Sequence, residues 1–426
     1  MLDRRGFLVN TAGLAGVLAL QNNLLPALAP FPPLPDRALY DRKEQSYWAE
    51  LRKQFLIPSD EVYLNNGTAG SSPLPVLRAI FDSYNEWEKM ARPLDDYPVW
   101  GYGPWNEFRD PLADFVGASR DEIALLRNCT EANNYIANGI DLKAGDEVLI
   151  SDQDFLGEQA WNLRSKRYGI VVKKFQLAKP PKNAAEILNG INDAITPRTR
   201  VLFFSHITMV TGLVLPAKEI CSLARSKGII SAVDGAHVIG MMKLNLHDLG
   251  CDLYASSPHK WLMATKGTGF LYVRDEMIDR LWSTTATEGW DDSSLRAERF
   301  QRIGSSNVPS LYGLRAAIEF ANQIGIDRIE KRHRTLCDYV HGEMVKRGCE
   351  SWTSPDPKLR CGMAKLILPT IDVKELQRWM WERHKVKILG SDSRGLRLST
   401  PYYVQFEDLD RFLGKFDEYR RVKNGA

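Results

Sequence analysis

An excess of one charge sign is missing from this chain. It carries 56 basic and 53 acidic residues, for a formal net charge of +3. So even a balance leaves no electrostatic footprint for nucleic acid or for a membrane surface. The six cysteines, at 129, 221, 251, 337, 349 and 361, form no Cys-x-x-Cys pair. Neither a zinc ribbon nor a redox dithiol is signalled, and no metal site is expected. Cys129, Cys221 and Cys251 fall in apolar or motif segments and are expected as buried thiols. Only Cys337, Cys349 and Cys361 leave room for a disulfide. Low-complexity runs and internal repeats are also lacking. What remains is globular composition, 44% hydrophobic and 26% charged over 426 residues, with length for two or three domains.

Long apolar runs are scarce as well. The stretch Thr11–Leu20 is too short to stay in a bilayer as a spanning helix, so no stable membrane anchoring is expected. In front of it, Asp3-Arg4-Arg5-Gly6-Phe7-Leu8 resembles the twin-arginine export motif. Ala27-Leu28-Ala29 has a small-x-small cleavage pattern. These features predict a signal peptide over residues 1–29, read by the twin-arginine export machinery, and a periplasmic destination. The competing reading is an arginine pair at the start of an ordinary first helix. Pro30 to Asp36 reads as a stiff extended linker within an N-terminal segment, 30–60, that also holds a polar helix.

Between residues 117 and 275 strand and helix signals alternate. Strands are expected at Ile123–Arg127, Glu147–Ser151, Val171–Gln176, Val201–Ser205, Ile229–Asp234, Asp252–Ser256 and Gly269–Val273. Helices are expected at Glu131–Ile140, Leu156–Tyr168, Ala184–Ile195 and Ala217–Lys227. Alternation at this spacing implies an α/β domain with a mainly parallel seven-stranded sheet. From about residue 310 two helices and a few short strands, including Val386–Leu389, suggest a small α+β domain. The resulting division is 61–305 for a large domain and 306–426 for a small C-terminal one.

The most specific signal is Lys260, in Ser256-Ser257-Pro258-His259-Lys260-Trp261. Upstream stands Val233-Asp234-Gly235-Ala236-His237. An acid at one strand end and a lysine after the next strand suit pyridoxal phosphate (PLP) chemistry. The lysine amine condenses with the cofactor's aldehyde, and the acid pairs with its ring nitrogen. In parallel sheets such groups gather beyond the carboxyl ends of the strands.

With these residues in order, the chain resembles fold-type I PLP enzymes of the class V aminotransferase family over roughly residues 60–420. Asp-Gly-Ala-His makes it most similar to the isopenicillin N epimerase-like branch. The resemblance implies roles for further positions. Cys129 and Thr130 open a helix whose N-terminus suits a phosphate; the alternative is a plain helix cap. Phe155 stands where relatives stack a ring on the cofactor, with core packing as the alternative. His237 is expected at the ring oxygen, and Ser257 and His259 near the phosphate. Where desulfurases carry an Asn on the ring oxygen, this chain has Thr208-Met209, and Thr208 is the candidate contact. His206 matches a family histidine near the strand end. Gly304 and Ser305 match a segment that reaches the phosphate of a neighbouring subunit, which implies a homodimer. Arg397 matches the arginine that holds a substrate α-carboxylate. Trp100-Gly101-Tyr102-Gly103-Pro104-Trp105 either walls the pocket or packs in the core.

One absence bears on the reaction. Desulfurases carry a nucleophilic cysteine on the loop before that arginine, and residues 387–394 contain none. The expectation is therefore an exported PLP enzyme acting at Cα of a small-molecule or peptidyl amine, not a desulfurase. Epimerase-like proton exchange, transamination and tailoring of a siderophore precursor at a pyoverdine side-chain glutamate all remain open. A PLP-fold protein that binds a ligand without turnover is the alternative of another class. The Lys260 and Asp234 pair speaks against it, since mere binding needs no electron sink.

Overall fold

A computed structural model describes residues 32–89 and 103–424. The proposed signal peptide and Trp100-Gly101-Tyr102 lie outside the described residues. The strands are β1 (Val62–Tyr63), β2 (Ile123–Leu126), β3 (Glu147–Ser151), β4 (Val171–Phe175), β5 (Thr199–Ser205), β6 (Ile230–Asp234), β7 (Leu253–Ser256), β8 (Gly269–Val273), β9 (Glu350–Ser351), β10 (Met363–Ile367), β11 (Val386–Lys387), β12 (Leu389–Gly390) and β13 (Gly395–Ser399).

Seven of them form one sheet in the order β2-β8-β7-β6-β5-β3-β4. It is parallel except at β8, which runs antiparallel to both neighbours. The sheet separates two apolar cores by simple alternation of side chains. On β5, Leu202 and Phe204 enter one core while Val201 and Phe203 enter the other. β2 and β8 divide in the same way, Leu125 and Phe270 against Leu126 and Leu271. Both faces are thus covered, as a mainly parallel sheet requires. Each fully buried large apolar side chain contributes about 2 kcal/mol. β4 is the edge, and it carries Lys173 on one face and Lys174 on the other, charges that discourage pairing with another chain.

Helix starts decide where the site falls. The helix after β2 spans Cys129–Gly139, two residues earlier than the sequence pattern suggests. Asn128 caps it by accepting from the Glu131 N–H at 2.9 Å, and Glu131 accepts from the Arg127 N–H at 2.7 Å. That cap places Cys129 and Thr130 in the first turn. The helix after β3 starts two residues later than expected, at Glu158, leaving Phe155 in a turn.

The C-terminal region holds an antiparallel sheet, β12-β13-β10-β9. The single strand expected over Val386–Leu389 is in fact two strands of different sheets. β11 pairs parallel to β1, while β12 pairs with β13. Chain segments from opposite ends therefore meet, and Asn65 bridges to Ser399. All six cysteines are buried and free, so the 337/349/361 group forms no disulfide.

Candidate active site

A cavity of about 1000 Å³ opens at the carboxyl ends of β3, β5, β6 and β7 and is closed on one side by the C-terminal sheet. It is lined by Cys129, Thr130, Phe155, Asp234, His237, Ser257, His259, Lys260 and Arg397, among others. The structure thus brings together nine of the residues singled out in the sequence.

Lys260 follows the last residue of β7 by four positions. Its backbone is braced from the N-terminal side of the chain. Asn66 Nδ2 donates to the Lys260 carbonyl at 3.1 Å, and the Gly70 N–H donates to the His259 carbonyl at 3.0 Å. A Cβ on Gly70 would lie 2.0 Å from the Lys260 oxygen, so only glycine fits. Burial pulls the lysine pKa below its ordinary value, against the opposing charge of Asp234. Its Nζ lies 3.3 Å from His237 Nε2.

Asp234 ends β6 and is held at both oxygens. Oδ1 accepts from the Ala236 N–H at 3.0 Å, and Oδ2 accepts from Asn133 Nδ2 at 2.8 Å. Asn133 stands one helical turn beyond Cys129, on the same face. His237 is buried and neutral. Burial, then the Lys260 and Arg397 charges, hold its pKa well below the ordinary value. At the helix start, Cys129 N–H donates to Ser257 Oγ at 2.9 Å. Thr130 is exposed, and its N–H has no partner among the described residues. His259 donates from Nδ1 to the Thr268 carbonyl at 3.0 Å, which fixes the ring.

Arg397, on β13, is only 3% exposed, which removes the surface reading. Its guanidinium donates to the Met209 carbonyl, Asn65 Oδ1 and Thr68 Oγ1 at 3.0–3.1 Å. All three acceptors are neutral, and no acid pairs with it among the described residues. Burial lowers its pKa to about 10.

Other expectations are redrawn. Thr208 does not line the cavity. Its hydroxyl accepts from the Leu213 N–H at 3.0 Å and bonds Thr211 at 2.6 Å, so it closes a turn, and Met209 faces the cavity instead. His206 is also set back, 3.2 Å from the Tyr254 hydroxyl, with its pKa lowered to about 4 by burial. Phe155 is 63% exposed at the cavity wall, so core packing does not apply. Trp105 is buried in the core and does not line the cavity. Gly304 and Ser305 lie outside this chain's own cavity, and Ser305 is exposed.

Sequence reasoning missed Asn133, Asn66, Gly70 and Asp154. Asp154 accepts from Ser151 Oγ at 2.6 Å and from the Ser205 N–H at 2.9 Å, tying the ends of β3 and β5. Burial outweighs these donors and pushes its pKa up to about 6. Only Asn133 had a usable signal, its helical spacing from Cys129.

These groups fit pyridoxal phosphate. Lys260 is a buried amine, Asp234 is a carboxylate already oriented by two donors, and the Thr130 N–H is an unused donor at a helix start. Comparisons agree. The model of the family described as aminotransferase class-V matches residues 62–412. Isopenicillin N epimerase of Streptomyces clavuligerus is 32% identical over 394 residues, covering 87% of this chain and 98% of that protein. The apo structure of a cysteine desulfurase from Thermococcus onnurineus superposes with a TM-score of 0.77 at 21% identity, covering 87% of this chain and 97% of that one. A C-DES variant with glycine covalently linked to its PLP cofactor gives 0.76 at 20% identity, covering 85% and 98%. This chain belongs to the class-V aminotransferase family of fold-type I enzymes, and its cofactor is pyridoxal phosphate.

Proposed function

We propose that this PLP-dependent enzyme moves a proton at Cα of an amine that also carries a carboxylate. The observation that carries this reading is Arg397, a buried cation with no acidic partner among the described residues, on the wall of the cavity that holds Lys260. A buried guanidinium is costly until an anion pairs with it, and its planar fork suits a carboxylate. When bound, the cofactor takes up the electron pair of a bond broken at Cα. Asp234, itself held by Asn133, would pair with the ring nitrogen. Phe155 would cover a ring face, and Thr130, Ser257 and His259 would hold the phosphate. Arg397 turns the substrate so that one Cα bond faces Lys260. Lys260, lowered by burial, accepts or returns the proton there.

Persulfide chemistry has little support. Residues 387–394 hold no thiol, and Cys129 is the one cysteine on the cavity wall among the described residues. Burial and the charge of Asp234 push its thiol far above the ordinary range, away from the reactive thiolate. The deciding experiment offers carboxylated amines in D2O. Deuterium entering Cα with the amine retained supports epimerase-like exchange. A keto acid product points to transamination, and sulfide release from cysteine overturns the exclusion of desulfurase activity.

The cavity, about 1000 Å³ and open to solvent, has room for the cofactor together with a peptidyl amine. We place the enzyme in the periplasm on the strength of Arg4 and Arg5, and a siderophore precursor with a side-chain glutamate fits both location and cavity. No helix among the described residues is long and apolar enough to cross a membrane. Arg4→Lys with Arg5→Lys should leave folded, cofactor-loaded protein in the cytoplasm; unchanged periplasmic delivery on fractionation removes the export reading. We assign Gly304 and Ser305 to the partner's phosphate site in a homodimer. An active monomer in sedimentation would rule that out.

A further inference from the structure

Trp261 follows Lys260 directly but does not line the cavity. It is 1% exposed, and its indole Nε1–H donates to His237 Nδ1 at 3.1 Å. An indole N–H can only donate, so Nδ1 of His237 must be a bare acceptor. His237 is neutral, so its single ring proton is on Nε2. That nitrogen lies 3.3 Å from Lys260 Nζ, on the cavity side of the ring. We propose that Trp261 is a positioning residue: it locks His237 as the Nε2–H tautomer and so keeps a fixed N–H donor aimed at the cofactor's ring oxygen and at Lys260.

The indole is itself held in place. Its ring meets His333 edge-on, with centroids 4.9 Å apart, and His333 is anchored by Nδ1 to the Thr400 carbonyl at 2.8 Å. A Cβ on Gly362 would come within 3.3 Å of the indole, so the C-terminal region closes tightly over it. The donor matters because Met209, on the same cavity lining, carries a thioether that cannot donate. Charges that bear on the pair are Asp234 and Arg397, with the Cys129 thiol beside Lys260. Without Trp261 the two tautomers of His237 become comparable, and the Nδ1–H form offers the cavity no donor from Nε2. An anionic ring oxygen that loses a donor holds its conjugated proton more tightly.

The inference rests on the cofactor-site reading above, which is checked first. Purified wild-type protein must show a visible cofactor band that borohydride fixes to Lys260; without it, the site reading fails before Trp261 is reached. The test then titrates that band against pH in the loaded wild type, Trp261→Phe, His237→Ala and the double variant. We expect Trp261→Phe to move the midpoint upward by on the order of one unit. In the His237→Ala background the same change should move it by less than a third of that. A midpoint unaltered in Trp261→Phe, or an equal shift with His237 absent, overturns the proposal. If the Phe variant fails to fold, the wild type still decides. Nitrogen-15 histidine spectra, with His237 assigned through His237→Ala, should show Nδ1 bare and Nε2 protonated. The reversed tautomer would refute the inference.

Discussion

The two walls of the cavity are built on opposite plans. On the wall from the large sheet, the groups that face Lys260 are matched. Both Asp234 oxygens accept, both His237 nitrogens are engaged, and Ser257 takes the Cys129 N–H. On the wall from the C-terminal sheet, the buried guanidinium is left without an anion. Arg397 is buried with neutral partners only, and its Nε has none among the described residues. A matched wall suits a group that stays, because its geometry is fixed before binding. An unmatched buried charge suits a group that comes and goes, because each arrival supplies the missing anion. The contrast separates resident cofactor from transient substrate on physical grounds.

The largest effect should come from the matched wall. Lys260→Ala should lower turnover by roughly 10⁴-fold or more, since it removes a member of a unit. Borohydride followed by peptide mass analysis should then find no cofactor fixed to the chain. A fixed adduct in that variant means another lysine carries the link. Asp234→Ala should come next, with some cofactor retained and turnover reduced by on the order of 10² or more. Near-normal rates would mean that the ring nitrogen needs no charged partner.

The unmatched wall should respond differently. Arg397→Ala should lower kcat/KM for a carboxylated amine by about 10- to 100-fold, the worth of hydrogen bonds to a charged group. The same variant should treat an amine without a carboxylate much as the wild type does. An equal loss with both amines would make Arg397 a structural cation and erase the contrast between the walls.

How legible was this in the sequence? Strand ends were readable because they depend on local alternation. β3 and β8 fall on the expected residues, and β6 ends at Asp234 as expected. The groups that depend on distant partners were not readable. Asn133 meets Asp234 across 101 positions and Asn66 meets Lys260 across 194, and no local pattern announces either. Thr208 shows the converse failure. The family resemblance suggested a cofactor contact, but the turn that returns to Leu213 took its hydroxyl. The split of β11 from β12 was hidden because β11 finds its partner in β1, over 300 residues earlier. Arg397 was identified by its motif, yet only burial and the neutral character of its partners reveal the missing anion.

The smallest effect on turnover lies where the two walls meet, at His333. It is fully buried beside Trp261 and donates from Nδ1 to the Thr400 carbonyl. Burial lowers its pKa to about 4, from an ordinary value near 6.5. Between those values the unfolded chain binds a proton that the folded protein refuses. Stability therefore falls as pH drops from about 6.5 towards 4 and stays flat above that window. His206, also lowered to about 4, acts in the same direction. Asp154 acts in the opposite one. Its folded pKa of about 6 lies above the ordinary carboxylate value, so over roughly pH 4–6 the folded state holds a proton that the unfolded chain has lost. The wild-type slope sums these with the other shifted groups, the lowered His237, His259, His341 and His384 among them, and only a difference between variants isolates one residue. His333→Gln keeps a donor for Thr400 but cannot titrate. Its loss of stability between pH 6.5 and 4.5 should be smaller than that of the wild type by about 2 kcal/mol. Denaturant melts at the two pH values measure this, and turnover at neutral pH should change little. Parallel pH profiles for the two proteins would mean that His333 takes up its proton without opening the seam, and that the walls meet less tightly than the buried ring implies.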